Sequence, residues 1–205
     1  MIPFRQIRAS FDEDSLTVYQ AYRGAIADAA LAAGRFVEPF SRTRMTWIKP
    51  SFLWMMYRCG WATKPGQERV LAIRISRSGF EEALASSCLS HFDPTVYEDH
   101  QAWERAKASS PVRIQWDPER DTHLQPLSHR SVQIGIGPQM VGRYVDEWIV
   151  DITDITTTVA GLRAQAEVDV EALPRERPYP LPSELARRIG ELPRSEERRV
   201  GKECR

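Results

Sequence analysis

No apolar run in these 205 residues approaches the ~18 needed to cross a bilayer, so a membrane partner is not expected. The opening Met1-Ile2-Pro3-Phe4-Arg5-Gln6-Ile7-Arg8 lacks the apolar core of a secretory signal, which makes a cytoplasmic location the expectation. Cysteine is scarce: three residues at irregular spacing make no disulfide framework, and reduced thiols suit that compartment. An excess of one charge is missing as well. The 28 Lys and Arg balance 28 Asp and Glu at pI ≈ 6.9, which argues against wholesale electrostatic binding of nucleic acid, so any such contact has to be local. The phosphate-binding fingerprints G-x-G-x-x-G and G-x-x-x-x-G-K-[ST] are absent, as is the G-x-S-x-G setting of a serine nucleophile, and no internal repeat is visible.

What the chain does have is concentrated in Met45 to Trp61. This stretch holds three of the six tryptophans and three of the five methionines. Pro50 fits the first turn of a helix and pushes Lys49 into an extended conformation, so an extended arm ends at Lys49 and a helix follows. Phe52, Met55, Met56 and Cys59 follow an i, i+3, i+4, i+7 pattern, with Leu53, Trp54 and Tyr57 covering much of the rest, which predicts a buried helix stopped at Gly60. Its flanks are basic. Residues 42–69 carry Arg42, Arg44, Lys49, Arg58, Lys64 and Arg69 against the single acid Glu68. Such groups beside an aromatic helix suit an anion such as phosphate; a solvated rim paired with distant acids is the competing reading.

Elsewhere, Leu16–Tyr22, Arg69–Ile75, Pro111–Asp117 and Arg130–Ile136 read as strands, and Gly24–Ala33 as an alanine-rich helix. Ser78-Gly79-Phe80-Glu81 reads as a capping box opening a short helix, residues 88–100 as irregular, and 101–107 as a further helix. Met140, Val141, Tyr144, Val145 and Trp148 form one helical stripe after Pro138, Ile149–Ile155 either continues it or turns extended, and Ile155, Val159, Leu162 and Ala166 suit a last helix. Irregular alternation of strands and short helices predicts an α+β fold with a mixed, mostly antiparallel sheet. The expected organisation is one globular domain over 1–168, a proline-rich extended tail over 169–193, and a final run, 194–205, that looks like the translation of a sequencing adapter and is set aside together with its Cys204.

The segments T-V-Y-Q-A-Y at 17–22, S-R-T-R-M-T-W-I-K-P-S-F-L-W-M-M-Y-R-C-G-W from 41, and S-P-V-R-I-Q-W-D-P-E-R-D from 110 together resemble the uncharacterised family catalogued as domain of unknown function 4291. The resemblance covers roughly residues 3 to 165 and brings no activity with it. At lower resolution the order of elements is similar to the ADP-ribosyltransferase architecture. That similarity implies NAD as cosubstrate, Arg44 or Lys49 holding diphosphate, Trp47 or Tyr19 stacking on nicotinamide, and Glu119 or Asp117 as the carboxylate near the ribose.

The resulting expectation is one concave site where Arg44, Lys49, Gln115 and Glu119 converge, lined by Tyr19 and Trp47. Gln20 either points into it or is satisfied by neighbouring backbone. The alternative is a non-catalytic nucleotide or single-stranded nucleic-acid binder, stacking bases on aromatics between Arg and Lys. The spacing of Cys88, His91 and His100 is too irregular for a zinc site, so no metal is expected, and Cys59 on the apolar stripe is read as an inert buried thiol.

Overall fold

The computed structural model describes residues 2–165 and 167–191 and has an α+β fold. In chain order the first half contains β1 (Arg8–Ala9), β2 (Ser15–Tyr22), α1 (Gly24–Ala33), β3 (Thr46–Ile48), α2 (Phe52–Cys59), β4 (Arg69–Ser76), α3 (Arg77–Ala85) and β5 (Ser87–Leu89). The second half contains α4 (His100–Ser109), β6 (Val112–Arg120), β7 (Pro126–Ile136), α5 (Pro138–Arg143), a π-helical turn (Tyr144–Trp148), β8 (Ile149–Asp154), α6 (Thr156–Arg163), β9 (Arg177–Pro178) and α7 (Ser183–Arg188). Strands β2, β4 and β8 form an antiparallel sheet in that order. Strands β3, β7, β6 and β5 form a second sheet, antiparallel except for the β5–β6 pair, and β1 pairs with β9.

Alternation in the strands explains how the layers stack. Leu16 and Val18 on β2 share a face with Leu71, Ile73 and Ile75 on β4, and this face meets Ile114, Ile134 and Ile136 of the second sheet in the main core. The opposite face presents Tyr19 and Val70, which pack with Phe52, Met55, Met56 and Cys59 of α2 and with Val159 and Leu162 of α6. The apolar stripe of α2 is thus buried as its spacing predicts, while Tyr57 and Arg58 are exposed. Pro50 precedes the helix instead of sitting in its first turn: Ser51 is the N-cap, with its Oγ accepting from the Trp54 N–H at 3.2 Å, and Gly60 closes the helix in the left-handed conformation at φ 60°.

Several local expectations change. The cap of α3 is Ser76, whose hydroxyl accepts from the Gly79 N–H, rather than Ser78. Gly79 has a packing reason instead: a Cβ there would lie 2.3 Å from the Trp148 ring. The stretch from residue 88 is not wholly irregular, because Ser87–Leu89 forms β5, a strand too short to show alternation and buried throughout. Residues 149–154 turn extended, after the helical stripe ends in a π-turn closed by the Ile149 N–H on the Tyr144 carbonyl.

The largest difference lies after Pro174. The proline-rich segment folds back over the domain: β9 pairs with β1, Tyr179 and Ile189 are buried in the main core, and Trp116 Nε1 donates to the Ile189 carbonyl at 2.7 Å. Proline fixes φ without preventing the intervening apolar residues from docking. The run 194–205 and Cys204 lie outside the described residues, as does Ala166. Among the described residues no helix is long and apolar enough to cross a membrane.

Candidate functional site

Besides their packing across the main core, the two larger sheets are linked by a backbone hydrogen bond at one seam. The Tyr19 N–H donates to the Lys49 carbonyl at 2.7 Å, and this bridge is followed by no further backbone pairing between β2 and β3. Beyond it the Gln20 side chain takes over, its Nε2 donating to Thr46 Oγ1 at 2.8 Å and the Trp47 carbonyl at 3.0 Å. Its Oε1 accepts from the Tyr144 hydroxyl at 2.7 Å, so this buried amide is satisfied on both ends. The strands part here, and a cavity of about 850 Å³ opens between the end of β2, the loop leading into β3, α2, the turn at Pro65–Gln67, and the middle of β6 and β7.

Four cations line it, Arg23, Arg44, Lys49 and Arg58, and its lining includes no carboxylate. Among the described residues none of the four is in an ion pair. The basic run from 42 to 69 therefore divides. Arg42 pairs with Asp146 at 2.5 Å, Arg69 pairs with Asp28 at 2.6 Å and with Asp154, and Lys64 donates to the Tyr57 and Arg58 carbonyls. What remains faces the cavity.

Lys49 is the buried member, only 6% exposed. Its Nζ has one long bond, 3.4 Å to the Trp47 carbonyl, and lies 5.3 Å from the centre of the Trp54 ring. Burial, reinforced by the Arg58 charge and opposed by Asp117, brings its pKa down to about 7. Trp47 lines the same cavity and lies over the bare backbone of Gly135, where a Cβ would come 2.9 Å from the indole.

Gln115 and Gln133 are opposite each other on β6 and β7 and both line the cavity. Behind them Asp117 accepts from Gln115 Nε2 at 3.0 Å and from Gln133 Nε2 at 2.7 Å. An ionised carboxylate only accepts, so it claims the amide N–H groups and leaves each amide oxygen as an acceptor for a ligand.

Not every expected site residue arrives here. Arg44, Trp47, Lys49, Gln20 and Gln115 share the cavity. Tyr19 is 2% exposed and packs edge-on against Phe52 at 5.4 Å, on the far face of its sheet. Glu119 lies in a separate cavity of about 120 Å³ with Arg8, Ser51, His129 and Glu176. The cause is local: the β6–β7 register shifts between Pro118 and Arg120, so the alternation that would carry Glu119 onto the face of Gln115 and Asp117 is broken. There Glu119 accepts from the Ser51 hydroxyl and from the Arg120 N–H, both at 2.8 Å, and burial raises its pKa against those bonds. Glu176 accepts from the Phe52 N–H at 2.7 Å; burial pushes it up to about 8, with the Glu119 charge adding to the shift.

Among the described residues no group of three His, Cys, Asp or Glu side chains is placed to hold a metal. His100 stacks on Phe92 at 4.2 Å, and Cys88 is buried with its thiol pKa raised by desolvation. Arg23, Gln67 and Gln133 complete the cavity without having been expected in it. Gln133 had one signal, its place opposite Gln115, which is readable only once the strand register is known.

A family model described as a domain of unknown function (DUF4291) matches residues 6–179, and the chain belongs to that family. No curated protein matches the sequence.

Proposed function

We propose that this member of the DUF4291 family is a nucleotide-handling protein. In this reading Arg23, Arg44, Lys49 and Arg58 hold phosphates, while Trp47 stacks on a base or a nicotinamide ring. The observation that carries it is the set of four cations around a cavity with no carboxylate in its lining. Like charges brought together in a hollow repel one another, and a multiply charged anion reverses the sign of that energy. Arginine offers the forked donors that phosphate oxygens match, and the amide oxygens of Gln115 and Gln133 add acceptors for the polar edge of a ring or ribose. A volume of about 850 Å³ is within the range of small-molecule sites and suits a dinucleotide such as NAD.

In the catalytic form of the reading the chain transfers the ADP-ribosyl group of NAD. Asp117 is then the carboxylate beside the ribose, released from Gln115 and Gln133 as they turn to the ligand. Glu119 acts from behind, through Ser51 and the start of α2. The single-stranded nucleic-acid alternative has less support, because Phe52 and Trp54, 3% and 6% exposed, offer no stacking surface.

Heat-shift titration with ADP, NAD and inorganic diphosphate tests the site. A ligand at 100 times its Kd stabilises by about 2.7 kcal/mol, an upward shift that Arg44→Ala should cut by at least about half. Absence of a shift with all three anions removes the reading. Release of nicotinamide from NAD, lost in Asp117→Asn, separates catalysis from binding, and steeply salt-dependent oligonucleotide binding would favour the alternative.

A further inference from the structure

We infer that Lys49 is an imine-forming amine, whose Nζ condenses with the aldehyde or ketone of a phosphate-bearing ligand anchored by the surrounding arginines. The inference rests on the anion-site reading and adds a covalent step to it.

The residue choice is the first argument. The sequence contains four lysines against 24 arginines, so cationic work in this chain falls overwhelmingly to arginine. Arginine also binds phosphate better, through its planar fork, and never gives up its proton. A lysine at the buried wall of an otherwise arginine-lined cavity supplies what arginine lacks, a nitrogen lone pair. Lys64 and Lys107, by contrast, are exposed.

The surroundings are the second. An ammonium has three N–H donors, yet Nζ has one acceptor, the Trp47 carbonyl at 3.4 Å, and otherwise lies near the Trp54 ring. The side chain is 94% buried and lines the cavity, and that burial makes the charged form costly. On α2, Arg58 opposes protonation while the Cys59 thiol favours it weakly; on β6, Asp117 favours it from behind the two glutamines. On β2 the neighbouring Tyr19 and Gln20 are uncharged, and Arg44 lines the same cavity. The balance, about 7, leaves roughly half of the amine free at neutral pH.

The chemistry closes without a redox partner. The Nζ lone pair attacks the carbonyl carbon, the carbonyl π pair moves to oxygen, and proton transfer from nitrogen to oxygen gives a carbinolamine. Protonation of that hydroxyl by solvent lets it leave as water while the nitrogen lone pair forms the C=N bond, and the second nitrogen proton then returns to solvent. Arg23, Arg44 and Arg58 hold the phosphate end throughout. The open-chain form of a phosphorylated sugar, or of a sugar carried on a nucleoside diphosphate, has both required groups.

The test uses the full chain with pyridoxal 5′-phosphate, followed by borohydride and peptide mass mapping. Lys49 should carry the reduced adduct, excess ADP should suppress it, and pyridoxal without phosphate should label it far more slowly. In Lys49→Arg the reduced adduct should vanish from the peptide that spans residue 49. In Arg58→Ala the pH midpoint of trapping should move up, a rise of one unit cutting the free amine at neutral pH about fivefold. Lys49 left unlabelled, or labelled no faster than Lys64 and Lys107, with ADP still binding, overturns the imine and leaves the anion site standing. Failure of ADP and diphosphate to bind or protect overturns the anion site itself, whether or not Lys49 reacts.

Discussion

The two cavities that flank α2 differ in charge: one mixes Glu119 and Glu176 with Arg8 and Arg120, the other gathers cations alone. At the start of the helix, Glu119 and Glu176 sit among backbone N–H groups and the Ser51 hydroxyl, so each carboxylate has protein partners. Carboxylates near a helix N-terminus also have the favourable sign for its dipole. Across the helix, Arg23, Arg44, Lys49 and Arg58 surround a larger hollow with no acid in its lining. Titratable side chains that satisfy one another hold structure together. Those left facing solvent-filled space with like neighbours are poised for something that arrives from outside.

Breaking each cavity separately should therefore damage different properties. The largest effect is expected from Arg44→Ala combined with Arg58→Ala: losing two charge-assisted contacts, at ~1.5–3 kcal/mol each, weakens ADP or diphosphate binding by at least about 100-fold in calorimetry. Stability in urea should hardly change, because among the described residues neither guanidinium is in an ion pair. Ser51→Ala should do the reverse. It removes the N-cap of α2 and one partner of buried Glu119, costing about 2 kcal/mol of unfolding free energy while ADP affinity stays close to that of the parent.

A pH series sharpens the contrast. Glu176, raised to about 8, and Glu191, raised to about 7 by burial, bind more protons in the folded chain than in the unfolded one, whose value is near 4.5. Their contribution is complete below pH 4.5 and lost as pH rises through 7 to 8. Lys49 has the opposite sign: its lowered value costs stability below pH 7, and that cost disappears between 7 and 10.5. Glu176→Gln should flatten the alkaline-side loss, and Lys49→Met should leave the loss from Glu176 and Glu191 with nothing to offset it, both read from denaturation midpoints across pH. The smallest effect is expected for Lys64→Ala. That exposed side chain reaches local carbonyls and the face of the exposed Tyr57 ring, so stability should move within about 0.5 kcal/mol and binding not at all.

Much of this arrangement was legible in the residues. The apolar spacing of Phe52, Met55, Met56 and Cys59 predicted α2, and the run of basic residues from 42 to 69 marked its charged side. Which of those six cations stay free was not legible, since the partners of Arg42 and Arg69 are Asp146, Asp28 and Asp154, far away in sequence. The separation of Glu119 from Asp117 was hidden for a different reason. Alternation assigns them one face, and a shift in strand register after Pro118 separates them, a tertiary event with no periodic signature. The return of residues 177–191 onto the core was hidden by proline content, although Tyr179 and Ile189 had the apolar surface to drive it.

Lys49 belongs to two systems through two different atoms: its carbonyl oxygen receives the amide proton of Tyr19, and its nitrogen faces the hollow. A ligand that takes hold of that nitrogen therefore engages the residue whose backbone bridges the two sheets. The exchange rate of one amide proton, at Tyr19, is thus a built-in gauge of occupancy, readable without any label on the ligand.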